Sequence, residues 1–202
     1  MIRIIAIRVV DRIKEAGHTQ DILSTHSAII KSRLGFHELN EDRCSREGYI
    51  LLYLKDDDEG REALMRDLDK IYGIELKSLA IGEDTESEQS VEPGSDIAVL
   101  ALMVKNRSEI IDRVQKILTS FGCTIRTRLG INEDINGENM GLIILELCGE
   151  NSEMNRLVKS LGDIEHLSLG VISFNCPSIL CLRLFKLLSA CRPHLFPSGN
   201  RG

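Results

Sequence analysis

The stretch SRLGFHELNEDRCSREG, residues 32–48, carries Arg33, Gly35, His37, Glu38 and Cys44 in close succession. A guanidinium fork matches a carboxylate or phosphate, so Arg33 beside the backbone amides of a glycine turn suits a small anion or an amino acid. Imidazole and thiolate are metal donors, so His37 and Cys44 around one hairpin could begin a nickel, zinc or iron site. The same residues also fit plain architecture. Gly35 would then take positive φ at a strand exit, and Glu38 would pair with an arginine across a packed seam. A second stretch, TRLGINEDINGENMG at 127–141, repeats the R-L-G-x-x-E core as Arg128, Gly130 and Glu133. Asn132 and Asn139 stand there in place of His37 and Cys44. The metal donors are therefore confined to one copy, and His18, His26 or another chain would have to complete a closed site.

The repetition extends far beyond this motif. Displacing the sequence by 95 positions aligns IIAIRVVDR (4–12) with VLALMVKNR (99–107), QDIL (20–23) with QKIL (115–118) and IIKSRLGFHE (29–38) with TIRTRLGINE (124–133). After a two-residue shortening the displacement is 93, and GYILLYL (48–54) meets GLIILEL (141–147). The chain is expected to divide into a first repeat at 1–81, a linker at 82–96, a second repeat at 97–174 and a tail at 175–202. The linker, GEDTESEQSVEPGSD, is acidic, lacks an apolar period, and is expected to stay extended and solvated.

Each repeat reads strand, helix, strand, strand, helix, strand. VLALMV and GLIILEL are short apolar runs, whereas Ile110, Val114, Ile117, Leu118 and Phe121 fall on one face of a helix. Gly122 is expected as its left-handed C-cap, and Asn151 or Ser152 as the N-cap of the last helix. DDDEGRE (56–62) reads as a charged turn that starts the second helix with acids toward its dipole. This order is the ferredoxin-like split, an α+β fold with both helices on one face of an antiparallel sheet and the first and third strands central. The central strands IIAIRVV, VLALMV, YILLYL and GLIILEL are apolar at nearly every position. A strand with one wetted face should alternate. The second face must therefore meet something apolar, most simply the sister sheet. The result is an intramolecular pseudo-dimer, expected to pair again into a homo-oligomer, with the two arginine motifs placed at the inter-repeat seam.

The chain has 202 residues, 43% of them hydrophobic and 28% charged, with a net charge of -6. This is globular composition without the basic excess of a nucleic-acid binder. No run of about 18 apolar residues occurs, so no membrane span is expected. Six cysteines without paired spacing and no export signal point to reduced thiols and a cytoplasmic location. Cys123 and Cys148 read as small core hydrophobes. No Gly-rich phosphate loop, nucleophile elbow or zinc-protease helix is present, so the chain is read as non-enzymatic and without a cofactor. The tail carries four basic residues and no acid. Its Ile179, Leu180, Leu182, Leu184, Leu187 and Leu188 could form one short helix that docks on the domain, on a membrane surface or on a partner.

The second copy, from VLALMVKNR through RLGINE and GLIILEL to HLSLGVISF, resembles the regulator family of the iron-only hydrogenase system. The family's V-x-D/N-R step is present as Val104 to Arg107, and its R-[LM]-G turn as Arg128 to Gly130. Its fold belongs with ACT-like domains and with the C-terminal domain of the nickel-responsive repressor. The resemblance implies a regulatory role in sensing or protein interaction, and the ACT likeness implies a small-molecule ligand. The repressor places two alternating histidines before its cysteine, whereas Gly35 occupies one of those positions here. The family is usually a single unit, while this chain is a tandem with nothing resembling a helix-turn-helix. A ligand sensor, a metal-binding protein and a structural assembly unit all remain open from the residues alone.

Overall fold

A computed structural model describes residues 1–36, 39, 40, 43, 44, 46–82, 90–105, 107–135 and 138–175. The first repeat begins with β1 (Ile2–Val9), α1 (Arg12–Thr25), a 3-10 turn (Ser27–Ile29) and β2 (Ile30–Phe36). A two-rung hairpin of β3 (Leu39–Asn40) and β4 (Arg43–Cys44) follows, then β5 (Gly48–Leu54), α2 (Asp58–Leu68) and β6 (Ile74–Ile81). The second repeat contains β7 (Ser95–Val104), α3 (Arg107–Ser120), β8 (Ile125–Ile135), β9 (Glu138–Cys148), α4 (Asn151–Gly162) and β10 (Leu167–Asn175).

Each repeat builds one four-stranded antiparallel sheet, in the orders β2-β5-β1-β6 and β10-β7-β9-β8. The first and third long strands are central in both, which is the ferredoxin-like arrangement. The copies agree in detail. A bulge falls between Ile30 and Ser32 in β2 and between Ile125 and Thr127 in β8, at the same displacement. The turn into the fourth strand is left-handed at Gly73 (φ 79) and again at His166 (φ 63). The amide of Val10 donates to the Gly73 carbonyl at 2.9 Å, and that of Lys105 to the His166 carbonyl at 3.3 Å.

The period of two along the central strands explains why both faces are apolar. Ile5, Ile7 and Val9 of β1 pack with Leu23, Leu64 and Leu68 of α1 and α2. Ile2, Ile4 and Ala6 point the other way, into a cluster shared with Val99, Ala101 and Met103 of β7. That cluster draws eight buried residues from the first repeat and nine from the second, so each sheet covers the other. A third core lies between the second sheet and α3 and α4. The sheets come close at Gly170, where an added Cβ would lie 2.5 Å from Leu79 Cδ1.

Local signals held in part. Asp57 caps α2 by accepting from the Gly60 amide at 2.9 Å, with Asp58 and Glu59 in the first turn. α4 is different: Glu150 stands at its N-cap without a side-chain bond. Asn151 reaches back instead, accepting from the Gly94 amide at 3.0 Å and donating to the Ser95 carbonyl at 3.0 Å. Gly122 is not left-handed, because α3 closes through tight bonds from Phe121 to Ile117 and from Gly122 to Thr119. Cys123 is exposed in that closing turn and Cys148 is only half-buried, so neither is a core hydrophobe.

The linker is not solvated throughout. Val91 is buried in the core of the second repeat, its amide donating to Asn155 Oδ1 at 2.8 Å. The Glu92 carboxylate ties Lys77 at 3.2 Å, and the Glu92 amide donates to Ser173 Oγ at 3.2 Å. One valine in a polar stretch anchors the end of the crossing, which the absence of any apolar period concealed. The basic tail from residue 176 onward lies outside the described residues.

Candidate functional site

Arg33 and Arg128 occupy equivalent places, but not at the seam. In β2 the side chains of Leu34 and Phe36 join the inter-repeat core, and in β8 Leu129 and Ile131 do the same. Strand alternation therefore turns Arg33, Gly35, Arg128 and Gly130 to the helix side. There Arg33 Nη1 donates to Gln20 Oε1 of α1 at 2.5 Å, and Arg128 Nη1 to Gln115 Oε1 of α3 at 2.8 Å. The seam placement fails because the apolar neighbours of each arginine claim the buried face.

Neither motif glycine has positive φ. Gly35 pairs with Ile50 and Gly130 with Ile143 inside regular ladders. The strands run on past them rather than turning. What Gly35 supplies is space, since a Cβ there would meet only the Tyr49 carbonyl oxygen, at 3.9 Å. His37 and Glu38 lie outside the described residues. The backbones of Cys44 and Glu133 lie in β4 and β8, and their side chains are likewise undescribed. The two spare histidines are engaged elsewhere, His18 with Glu15 at 3.3 Å and His26 with Asp67 at 2.8 Å. Among the described residues no group of three or more His, Cys, Asp or Glu side chains could hold a metal.

A cleft of about 500 Å³ opens on this helix side of the first repeat, between α1 and the β2–β5 pair. Arg33 and Gly35 line it together with Arg12, Ala16, Gly17 and Gln20. Arg12, the first residue of α1, lies against Gly48 at the start of β5, where an added Cβ would stand 3.3 Å from its Cδ. The sequence displacement explains why the cleft exists. Ala16 and Gly17 correspond to Ile111 and Asp112, and Ile111 packs against the core of its own repeat. Arg12, Gln20 and Arg33 correspond to Arg107, Gln115 and Arg128, so the polar set is common to both copies. Gly17 and His18 read from the sequence as a weak point in a helix, and only the position of Gly17 beside the arginine gives it meaning.

Arg8 and Glu146 are buried charged groups that escaped the sequence pattern. Arg8 of β1 is 3% exposed on the seam face, where the second repeat has Met103. It binds Glu47, donates to Glu75 at 3.1 Å, and donates to the carbonyl of Asn175 at 2.8 Å. Burial pulls its pKa down, but the bond to and charge of Glu47 outweigh that, and the guanidinium stays above its ordinary value. Arg8 thus clamps the end of β10 onto the first sheet. Glu146 is 2% exposed and accepts from Arg126 Nη1 at 3.2 Å and Thr127 Oγ1 at 2.6 Å. In the first repeat Lys31 and Tyr53 hold the corresponding places, 3.2 Å apart.

Residues 96–170 match the family model described as "TM1266-like: Iron-only hydrogenase system regulator, putative". The second repeat carries the pattern of that regulator family. The solved structure of uncharacterized protein TM1266 from Thermotoga maritima is 25% identical, covering 40% of this chain and 99% of its own, with a TM-score of 0.36. An unknown protein from Galdieria sulphuraria is 14% identical, covering 86% of this chain and 98% of its own, with a TM-score of 0.33. The acetolactate synthase small subunit from Thermotoga maritima is 13% identical over 87% of this chain and 98% of its own, with a TM-score of 0.32. No curated protein matches the chain. No helix among the described residues is long and apolar enough to cross a membrane.

Proposed function

We propose that the protein is a non-enzymatic regulatory module of the iron-only hydrogenase system. On this reading its R-L-G arginines contact a small anionic ligand. The observation that carries the regulatory reading is the match of residues 96–170 to the regulator family. Ligand contact is supported by the equivalent placement of Arg33 and Arg128, each on an edge strand and each oriented by a glutamine, with no carboxylate bound to it among the described residues. A guanidinium held by a neutral amide keeps its full charge for a second acceptor. The proposal divides the chain into repeats at 1–81 and 97–174, a linker at 82–96 and a tail at 175–202.

Thermal-shift measurements against a panel of small carboxylates and inorganic phosphate test the ligand part. A rise in Tm that disappears in Arg33→Ala or Arg128→Ala is the expected result, and no rise with any anion removes it. Deleting the gene in its host should change hydrogenase activity. Unchanged activity under hydrogen-metabolising growth would sever the hydrogenase link.

A further inference from the structure

We propose that the cleft beneath α1 of the first repeat binds a small monocarboxylate with an apolar body, and that the second repeat keeps the arginine but lacks room for such a body. The inference rests on the regulatory reading above and names the chemistry of its ligand. About 500 Å³ is within the usual range of small-molecule sites. Val9, Ala16 and Ile50 supply apolar lining for a hydrocarbon body, while Arg33 supplies a guanidinium. No acidic side chain stands among the described residues that line it. The Arg33 fork already shares a bond with Gln20, which suits a single negative charge better than a polyphosphate.

The second repeat is the internal control. It retains Arg107, Gln115 and Arg128 but replaces Ala16 by Ile111, whose side chain is packed against the core. Charge and space are thus separate determinants: both repeats have the charges, and the Ala16–Gly17 step gives the first repeat the room. A Cβ built on Gly17 meets nothing within 4 Å, which shows how open this part of the helix is.

The test uses phenylacetate as probe on the full chain, with acetate, benzyl alcohol and inorganic phosphate beside it, read as Tm and as amide chemical-shift changes. Phenylacetate in large excess over its Kd should raise the Tm by about 5 °C or more and move the amides of Gly17 and Gly35. Acetate lacks the body, benzyl alcohol lacks the charge, and phosphate lacks the body and carries more charge, so each should give a smaller rise. Ala16→Ile copies the second repeat and should fold with an unchanged or higher Tm of its own while losing the phenylacetate response. Arg33→Gln should lose it as well, and Arg128→Gln should keep it. No response of the wild type to phenylacetate overturns the proposal, as does a phosphate response equal to it. A response lost in Arg33→Gln but retained in folded Ala16→Ile also overturns it, while leaving standing an anion module that uses the arginines elsewhere. No response to any anion overturns both readings together.

Discussion

The packing of one sheet on the other makes Gly170 a sensitive probe. A methyl added there would sit 2.5 Å from Leu79 Cδ1, 3.1 Å from its Cδ2 and 3.2 Å from its Cγ. Unstrained carbon–carbon contacts lie at about 3.5–4.0 Å, so roughly an ångström of overlap must be relieved. Leu79 is 7% exposed and can turn only within a packed core, so Gly170→Ala should destabilise by about 1–2 kcal/mol through overpacking. Leu79→Ala alone leaves a cavity and should cost about 2–4 kcal/mol. In the double variant the new methyl partly fills the space that Leu79 vacates. The combined loss should therefore fall short of the sum by about 1–2 kcal/mol. Urea unfolding of the four proteins measures this coupling directly, as midpoint changes at constant m. The two residues belong to different repeats, so coupling arises only if the sheets touch here. Additive losses, or a Gly170→Ala variant indistinguishable from wild type, would refute the reasoning.

Three further outcomes follow from the geometry. Arg8→Met places the residue of the second repeat in the first. It should destabilise by about 1–3 kcal/mol, because Glu47, Glu75 and the Asn175 carbonyl all lose their donor while only partly open to water. Faster amide exchange at the end of β10 should accompany it, since the Asn175 carbonyl loses its donor. His166→Gly should stabilise by about 0.5–1 kcal/mol, relieving a left-handed backbone that Gly73 adopts freely in the first copy. Bonds from Lys70 first and His26 second hold the Asp67 carboxyl down to about 2. The folded value is below the unfolded one, so this stabilisation is complete above about pH 4 and fades toward pH 2. Asp67→Asn should therefore unfold less steeply with acid across that window, measured by circular dichroism. An unchanged acid limb would count against the triad.

Much of the fold was legible because it is written twice. Strand order, helix placement and the need to cover both sheet faces all follow from runs such as IIAIRVV and VLALMV. The seam itself follows from the absence of alternation. The position of the arginines did not. Whether Arg33 or Leu34 faces the seam depends on strand phase, and the bulge at Lys31 resets that phase in a way no local residue announces. Gly35 looked like a turn because glycine usually marks one, yet here it leaves room under a helix. Arg8 was hidden by its own strand, since one charge in an apolar run gives no hint that Glu47, Glu75 and a distant carbonyl converge on it. Comparing the copies position by position was more informative than either alone. The replacement of Ala16 by Ile111 is visible in the sequence once the helix face is known.

The claim on which the rest depends is that the two sheets cover one another within a single chain. Nuclear Overhauser contacts between methyl groups of selectively labelled protein test it most directly. Cross-peaks are expected between Ile2, Ile4, Leu51 and Leu79 on one side and Met103, Met140, Leu142 and Ile144 on the other. They should persist on dilution and be absent between differently labelled chains that have been mixed. If contacts within each repeat are intact but the cross-seam set is missing, the sheets do not meet and the account fails.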